Sequence, residues 1–260
     1  MTNSSNKETE KMANLGRMTR GILHDLNNSL ASIMGFSSFL TDDLDPKSEH
    51  YIFAENIKKA ATQIETLVEQ IRALSMERGS NKDVTLNLVE TIKEMIDSSN
   101  KEIVQQHQII FMSDIKGAIF SVPLFQFKVM FSNLLKNSLQ SLGDSSGTVM
   151  IHLSSTHGIS PKELKGDYHF MSHPFDINLP HDKSMLKIDI IDTGCGLDEV
   201  TLNLAPSPHF TTKSADIAHG LGLTISSQII HTYGGSFSIS TTPNIGTRVT
   251  IVLPVEKIIL

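Results

Sequence analysis

Two long apolar stripes of helical period, separated by one acidic, proline-bearing break, limit most strongly what this chain can fold into. In the first stripe, Leu15, Ile22, Leu26, Leu30, Ile33 and Leu40 follow one another at steps of three, four and seven, the signature of one helix face. The pattern predicts a helix from about Thr9 to about Leu40, roughly 50 Å long at 1.5 Å per residue. Asp42-Asp43-Leu44-Asp45-Pro46 ends it, because proline cannot continue a helix and restricts the residue before it. A second stripe, Ile52, Ile57, Ala61, Ile64, Val68, Ile71 and Leu74, predicts a helix from about Glu49 to Met76. The short connection makes the two antiparallel, and a lone hairpin has too little partner surface to bury both stripes. Dimerisation into a four-helix bundle is the expected solution.

The first helix carries Gly21-Ile22-Leu23-His24-Asp25-Leu26-Asn27-Asn28. His24 stands two residues from both Ile22 and Leu26, about 200° round the helix, so it is expected on the wet side. Asn28 lies one turn on and shares that surface, and Asp25 follows directly. A single histidine on a helix is ordinarily a solvated surface residue. Four motifs far downstream give this one another reading.

After a polar stretch with Gly79, the pattern changes. Short alternating runs are expected as strands near Val84 to Leu86, Gln108 to Met112, Thr148 to Leu153, Leu186 to Ile190, Phe237 to Ile239 and Thr247 to Leu253. Helices are expected near Val89 to Ser98, from Pro123 to Gly143 and from Gly222 to Tyr233. Such an order suggests a two-layer α/β sandwich.

On the helix after Pro123, Asn133 and Asn137 share one face, and an amide supplies a hard oxygen without added charge, which suits phosphate-bound Mg²⁺. Asp192-Thr193-Gly194-Cys195-Gly196 follows a strand at once. A carboxylate there can accept from an adenine amino group, and glycines let the backbone approach a flat ring. Phe210-Thr211-Thr212-Lys213 offers hydroxyls and an ammonium to a terminal phosphate. His219-Gly220-Leu221-Gly222 opens a helix, where free N–H groups favour phosphate. Each motif alone is weak, and a tight turn or an exposed amide pair explains it as well; their order and spacing carry the weight.

Together they resemble the N, G1, F and G2 boxes of the ATP-binding domain of two-component sensor histidine kinases, a fold shared with gyrase, chaperone and mismatch-repair ATPases. The His24 segment resembles that family's phosphoacceptor box of the His-Asp-Leu-Asn-Asn type. Tyr233-Gly234-Gly235 and Gly246-Thr247, ending in Val252-Leu253-Pro254, are similar to its closing segment. Residues 1–8, rich in Ser, Asn, Thr and Lys without apolar period, are expected to be disordered. The resemblance covers roughly residues 10 to 255 and implies a dimerisation and histidine phosphotransfer domain over 9–78 and a catalytic ATP-binding domain over 79–260.

It further implies ATP and Mg²⁺ as cofactors. Asn137 is the implied metal ligand, with Asn133 and Lys136 beside the phosphates. Asp192, Gly194 and Gly196 are to line the adenine, with Thr247 nearby. Thr211, Thr212, Lys213, Gly220, Leu221 and Gly222 are to hold the phosphate tail. The implied activity is autophosphorylation of His24, aided by Asp25, and transfer to an aspartate of a response regulator receiver domain docking near Asn27, Ala31, Met34 and Gly35. Asn28 matches the family position that orients water for dephosphorylating that regulator. The implied assembly is a homodimer.

Some positions depart from the family pattern. Ala218 replaces a glycine of the G2 box, His209 replaces a phenylalanine, the lid from Ser214 to Ile217 lacks its usual glycine, and Ser121 and Ser138 replace an aspartate and an alanine. An insert from Ser155 to Ser184 carries His157, His169, His173 and His181, of which the second and third have helical ligand spacing without a helical pattern around them. Cys195, the single cysteine, excludes an internal disulfide and reads as a small filler. A net charge of −6 and no basic block argue against nucleic acid. Short apolar runs and a polar start argue against a membrane span or export signal, so a cytoplasmic protein is expected. With no sensory domain ahead of the first helix, input is expected from a separate sensor protein, from a soluble ligand on the second domain, or from neither. The competing reading is a phosphotransfer adaptor that uses His24 while its kinase-like second domain has lost ATP.

Overall fold

The computed structural model describes residues 2–75, 84–103, 107–144, 146–156, 167–172, 184–205, 207, 210–211 and 220–260. The side chains of residues 2–20, His24, 99–103, Met171 and Ser172 stand outside that description. The chain divides into two compact units, Met1–Met76 and Glu77–Leu260. The polar linker expected over residues 77–83 lies outside the described residues.

The first unit is an antiparallel hairpin of α1 (Thr2–Asp43) and α2 (Glu49–Leu74). Helix α1 starts at Thr2, seven residues ahead of the expected Thr9. Once a helix is nucleated, extending it through Ser, Asn and Thr costs only tenths of a kcal/mol per residue, roughly, so weak propensity does not stop it. The break falls where the acidic proline run lies. Lys47 N donates to Asp45 Oδ1 at 2.9 Å, and Ser48 caps α2 by accepting from Tyr51 N at 3.1 Å.

The seam between the helices takes only part of the stripes expected from periodicity, Leu30 on α1 with Ala61 and Val68 on α2. Leu23, Leu30 and Ser37 on α1 meet Ala54, Ala61 and Val68 on α2, both at heptad spacing and all buried. Small residues on α2 let the backbones approach closely. Ile22, Leu26, Ile33 and Leu40 stay 41–57% exposed, and Ile52, Ile57, Ile64 and Ile71 are 45–53% exposed. The hairpin thus buries a narrow strip and leaves the broader apolar stripes on its outside.

The second unit holds β1 (Val84–Asn87), α3 (Leu88–Ile103), β2 (His107–Ser113), β3 (Gly117–Val122), α4 (Leu124–Ser141), β4 (Gly147–Thr156), β5 (Tyr168–Ser172), β6 (Ser184–Asp192), α5 (Glu199–Leu204), α6 (Gly222–Thr232), β7 (Ser236–Thr242), β8 (Gly246–Val255) and β9 (Lys257–Ile259). Six strands form one sheet in the order β2-β4-β6-β8-β7-β5, and β1-β3-β9 form a small antiparallel one. Only β2 and β4 pair in parallel within the large sheet. Val149, Ile151 and Leu153 alternate with Leu186, Ile188 and Ile190 of the neighbouring strand, all fully buried. Phe127, Met130, Phe131 and Leu134 of α4, with Ile225, Ile229 and Ile230 of α6, complete the core. This is the two-layer α/β sandwich expected from the order of elements.

Strands β3, β5 and β9 and helix α5 were not anticipated. Strand β3 ends at Val122, directly before the helix-opening Pro123 that masks it in the sequence, although Ala118, Phe120 and Val122 alternate inward. Strand β5 lies in the insert and pairs with the edge of β7, Tyr168 opposite Thr241. Phe131 is fully buried and stacks on Phe127 with ring centroids 6.2 Å apart. Phe131→Ala is expected to cost about 3–5 kcal/mol, read by urea denaturation as an earlier transition of the second unit with that of the hairpin unmoved.

Candidate active site

The site is built on the ends of three adjacent antiparallel strands. Asp192 closes β6, opposite Thr247 on β8, which in turn stands opposite Thr241 on β7. Asp192 is only 4% exposed, and its Oδ1 accepts from Gly194 N at 3.0 Å and Thr247 N at 3.2 Å. The hydroxyls of Ser138 and Ser141, on α4, also reach this carboxylate. Burial nevertheless dominates and raises the Asp192 pKa above its ordinary 3.8, with the bonds from Gly194, Ser141, Thr247 and Ser138 opposing it.

The glycines after Asp192 answer to close packing. A Cβ on Gly194 would collide with the Ser141 side chain and carbonyl, and Gly196, at φ +63°, has the Thr242 carbonyl where a Cβ would stand. The loop between them is tied on both sides. Cys195 N donates to Ser141 O at 3.1 Å, Asn244 N donates to Cys195 O at 2.7 Å, and Thr193 exchanges bonds with Thr148 at 3.1 Å. Gly194 and Thr247 are therefore gathered at the Asp192 carboxylate, whereas Gly196 packs on the β7–β8 turn.

Helix α4 carries the other candidates. Asn133 and Asn137 are half-buried and Lys136 is exposed. The first turn of α6 lies against Asn133, since a Cβ on Gly222 would sit 3.5 Å from the Asn133 Cβ and Cγ. Its N-cap is Leu221, which offers no side-chain cap, and Gly220 before it adopts φ +66°. The opening N–H groups of α6 have no side-chain acceptor from the cap residue, as at an anion-binding helix start. Eight residues separate Asn133 from Ser141, about 12 Å along the helix, so α4 connects an anion-favouring end to a buried carboxylate end. That donor set suits a nucleotide with its polyphosphate.

Thr211 is half-buried; Thr212 and Lys213 lie outside the described residues, as do His209, residues 214–217, Ala218 and His219. In the hairpin unit, Asp25 and Asn28 are exposed, whereas the side chain of His24 lies outside the description. Of the insert histidines, His169 is described, its Nδ1 3.2 Å from Ser240 Oγ, whereas His157, His173 and His181 are not. Among the described residues no cluster of three or more His, Cys, Asp or Glu could hold a metal, and no helix is long and apolar enough to cross a membrane. Sequence reasoning missed Ser138 and Ser141 as partners of Asp192. Ser141 stands four residues after Asn137 on the same helix face, which was the available signal.

This geometry agrees with what comparison finds. The chain belongs to the family of histidine kinase-, DNA gyrase B- and HSP90-like ATPases, whose model matches residues 125–257. A His Kinase A (phospho-acceptor) domain matches residues 14–80, and the two together make the chain a member of the sensor histidine kinases. It is similar to the signal transduction histidine-protein kinase AtoS of Escherichia coli (strain K12), 24% identical over 96% of this chain and 36% of that protein. The chain thus spans little more than a third of that relative. In fold it is similar to full-length ShkA, solved in complex with AMPPNP, with a TM-score of 0.67, 12% identity, and coverage of 94% of this chain and 47% of that one. It is likewise similar to the histidine kinase ThkA, solved with the response regulator TrrA, with a TM-score of 0.54, 20% identity, and coverage of 97% and 65%.

The raised pKa of Asp192 has a consequence for the nucleotide-free protein. Favourable burial is fully present while the carboxyl is protonated, below about 3.8, and is lost as pH rises through the higher folded value. Asp192→Asn removes that titration and can keep an acceptor toward Gly194 N and Thr247 N. Thermal melts from pH 4 to 8 should show the stability of the variant relative to wild type improving as pH rises. A difference flat across that range would contradict the burial argument.

Proposed function

We propose that this chain is the catalytic portion of an ATP-dependent protein histidine kinase, which autophosphorylates His24 and passes the phosphoryl group to an aspartate of a response regulator. The buried, backbone-bonded Asp192 at one end of α4, with the uncapped α6 start at the other, carries the reading, and the phospho-acceptor match across residues 14–80, which contain His24, supplies the nucleophile. On this reading Asp192 accepts from the adenine amino group, and Thr247 stands beside it. The α6 N–H groups after Gly220 and Leu221, together with Gly222, take the phosphates with Thr211, Thr212, Lys213 and Lys136. Asn133 flanks them, and Asn137 offers its neutral amide oxygen to Mg²⁺. When bound with the phosphates, Mg²⁺ neutralises charge on the group being transferred.

About nine-tenths of an unperturbed histidine is neutral at pH 7.5, so the nucleophile is available without a strong base. A ring nitrogen of His24 forms the new bond to the γ-phosphorus as the bond to the β-phosphate oxygen breaks, releasing ADP. Asp25 bonds the other ring nitrogen, fixes its tautomer and stabilises the positive charge that develops. Asn28, one turn on, is exposed, and on this reading it orients water against the phosphorylated regulator. The regulator docks near Asn27, Ala31, Met34 and Gly35, where Gly35 has open space beyond its missing Cβ.

The exposed stripes of α1 and α2 support a homodimer, because Ile22, Leu26, Ile33, Ile57, Ile64 and Ile71 would become the interior of a four-helix bundle. ATP and a response regulator are cytoplasmic reagents, so this portion works in the cytoplasm. Incubation with Mg²⁺ and γ-labelled ATP tests the reading. Wild type should acquire acid-labile, alkali-stable label, and His24→Ala and Asn137→Ala should acquire almost none. Absence of both label and nucleotide binding in wild type would sink the kinase and leave a phosphotransfer adaptor, testable with phosphorylated regulators as donors.

A further inference from the structure

We propose that Thr241 is a positioning residue for nucleotide binding: its buried hydroxyl locks the loop after Asp192 onto the β7–β8 turn and thereby holds Thr247 against the Asp192 carboxylate. The inference rests on the nucleotide-site reading of that carboxylate. Thr241 is 1% exposed, and its Oγ1 has three partners. It donates to Gly246 O at 3.1 Å, accepts from Leu197 N at 2.9 Å, and lies 3.1 Å from Thr247 Oγ1. With its single proton on Gly246 O, both lone pairs are used when Leu197 N and the Thr247 hydroxyl donate to it. Every group in the knot is then satisfied.

The three partners come from the two segments that must keep a fixed spacing around the carboxylate. Leu197 ends the loop that contains Gly194 and Gly196, whereas Gly246 and Thr247 begin β8. Thr247 N bonds Asp192 Oδ1 at 3.2 Å, so a shift of the turn moves a donor directly off the carboxylate. Strand register alone aligns Asp192, Thr247 and Thr241 in one row. The Leu197 bond joins the loop to that row on the far side from Asp192, beside the bond from Asn244 N to Cys195 O at 2.7 Å. No atom of Thr241 need touch the nucleotide. Its effect is to keep the pocket preformed, which acts on affinity and not on the chemical step.

Thr241→Val keeps the shape and removes the hydroxyl, Thr241→Ser keeps the hydroxyl, and Thr241→Ala serves as a second deletion should the valine variant not fold. ATP binding and the ATP dependence of autophosphorylation would be measured on the full chain, at a temperature where circular dichroism shows each variant folded. The valine and alanine variants should bind ATP about tenfold more weakly and raise KM alike, the size expected for one well-made hydrogen-bonded group, with kcat within about twofold. The serine variant should stay within about threefold of wild type. Wild-type binding with equal affinity in the deletion variants overturns the role of Thr241 alone. Lowered thermal stability at unchanged affinity does the same. Failure of wild type to bind ATP overturns the nucleotide-site reading and this inference with it.

Discussion

A carboxylate buried at the end of a central strand is the constraint around which the second unit is arranged. Burying Asp192 raises the cost of its charge, and the structure offsets that cost with two backbone donors, with the Ser138 and Ser141 side chains close by. Those groups come from three separate places: the loop directly after it, the next strand, and helix α4. Moving any one of them leaves a buried charge less well solvated. The glycine at position 194 and the register of β6 against β8 follow from the same requirement, because both bring backbone to within bonding distance of one side chain.

Helix α4 links this carboxylate to the opening turn of α6. Its apolar face, with Phe127, Phe131 and Leu134, is clamped in the core, so the polar residues on its other side have little freedom. Ser138 and Ser141 are thereby held against Asp192, and Asn133 against Gly222. A buried bond from Tyr233 Oη to Gln126 Oε1, at 2.5 Å, fastens the first turn of α4 to the end of α6. Rigid packing on one face of the helix is what gives positional accuracy to the other.

The hairpin unit divides its apolar surface between two tasks. Ala54, Ala61 and Val68 give a close seam with Leu23, Leu30 and Ser37, and the larger isoleucines lie beside that seam, outside it. Small residues in the seam and large residues next to it suit a hairpin that is only half of a packed assembly. Asp25 and Asn28 lie on the exposed surface of α1.

Much of this architecture was legible in the sequence because local periodicity dictates it. The two stripes, the proline-bearing break and the alternation at Val149, Ile151 and Leu153 or at Leu186, Ile188 and Ile190 each follow from which face must leave water. The D-x-G-x-G turn was readable because glycine alone freely adopts the positive φ and close backbone approach that a tight turn after a strand requires, as Gly196 does. Other features depended on partners distant in sequence. Periodicity could not show that Leu23, and not Ile22 or Leu26, faces the sister helix, since the stripe is wide and only the size of the opposing residues selects the contact. Strands β3, β5 and β9 were missed because β3 ends in helix-start residues, whereas β5 and β9 are short and made stable by the edges they pair with. Ser138, Ser141 and Thr241 look like ordinary small polar residues in the chain. Only the tertiary structure brought Ser141 to Asp192 over a sequence separation of 51 and Thr241 to Leu197 over one of 44, because a buried charge and a buried amide each need a partner wherever the fold can supply one.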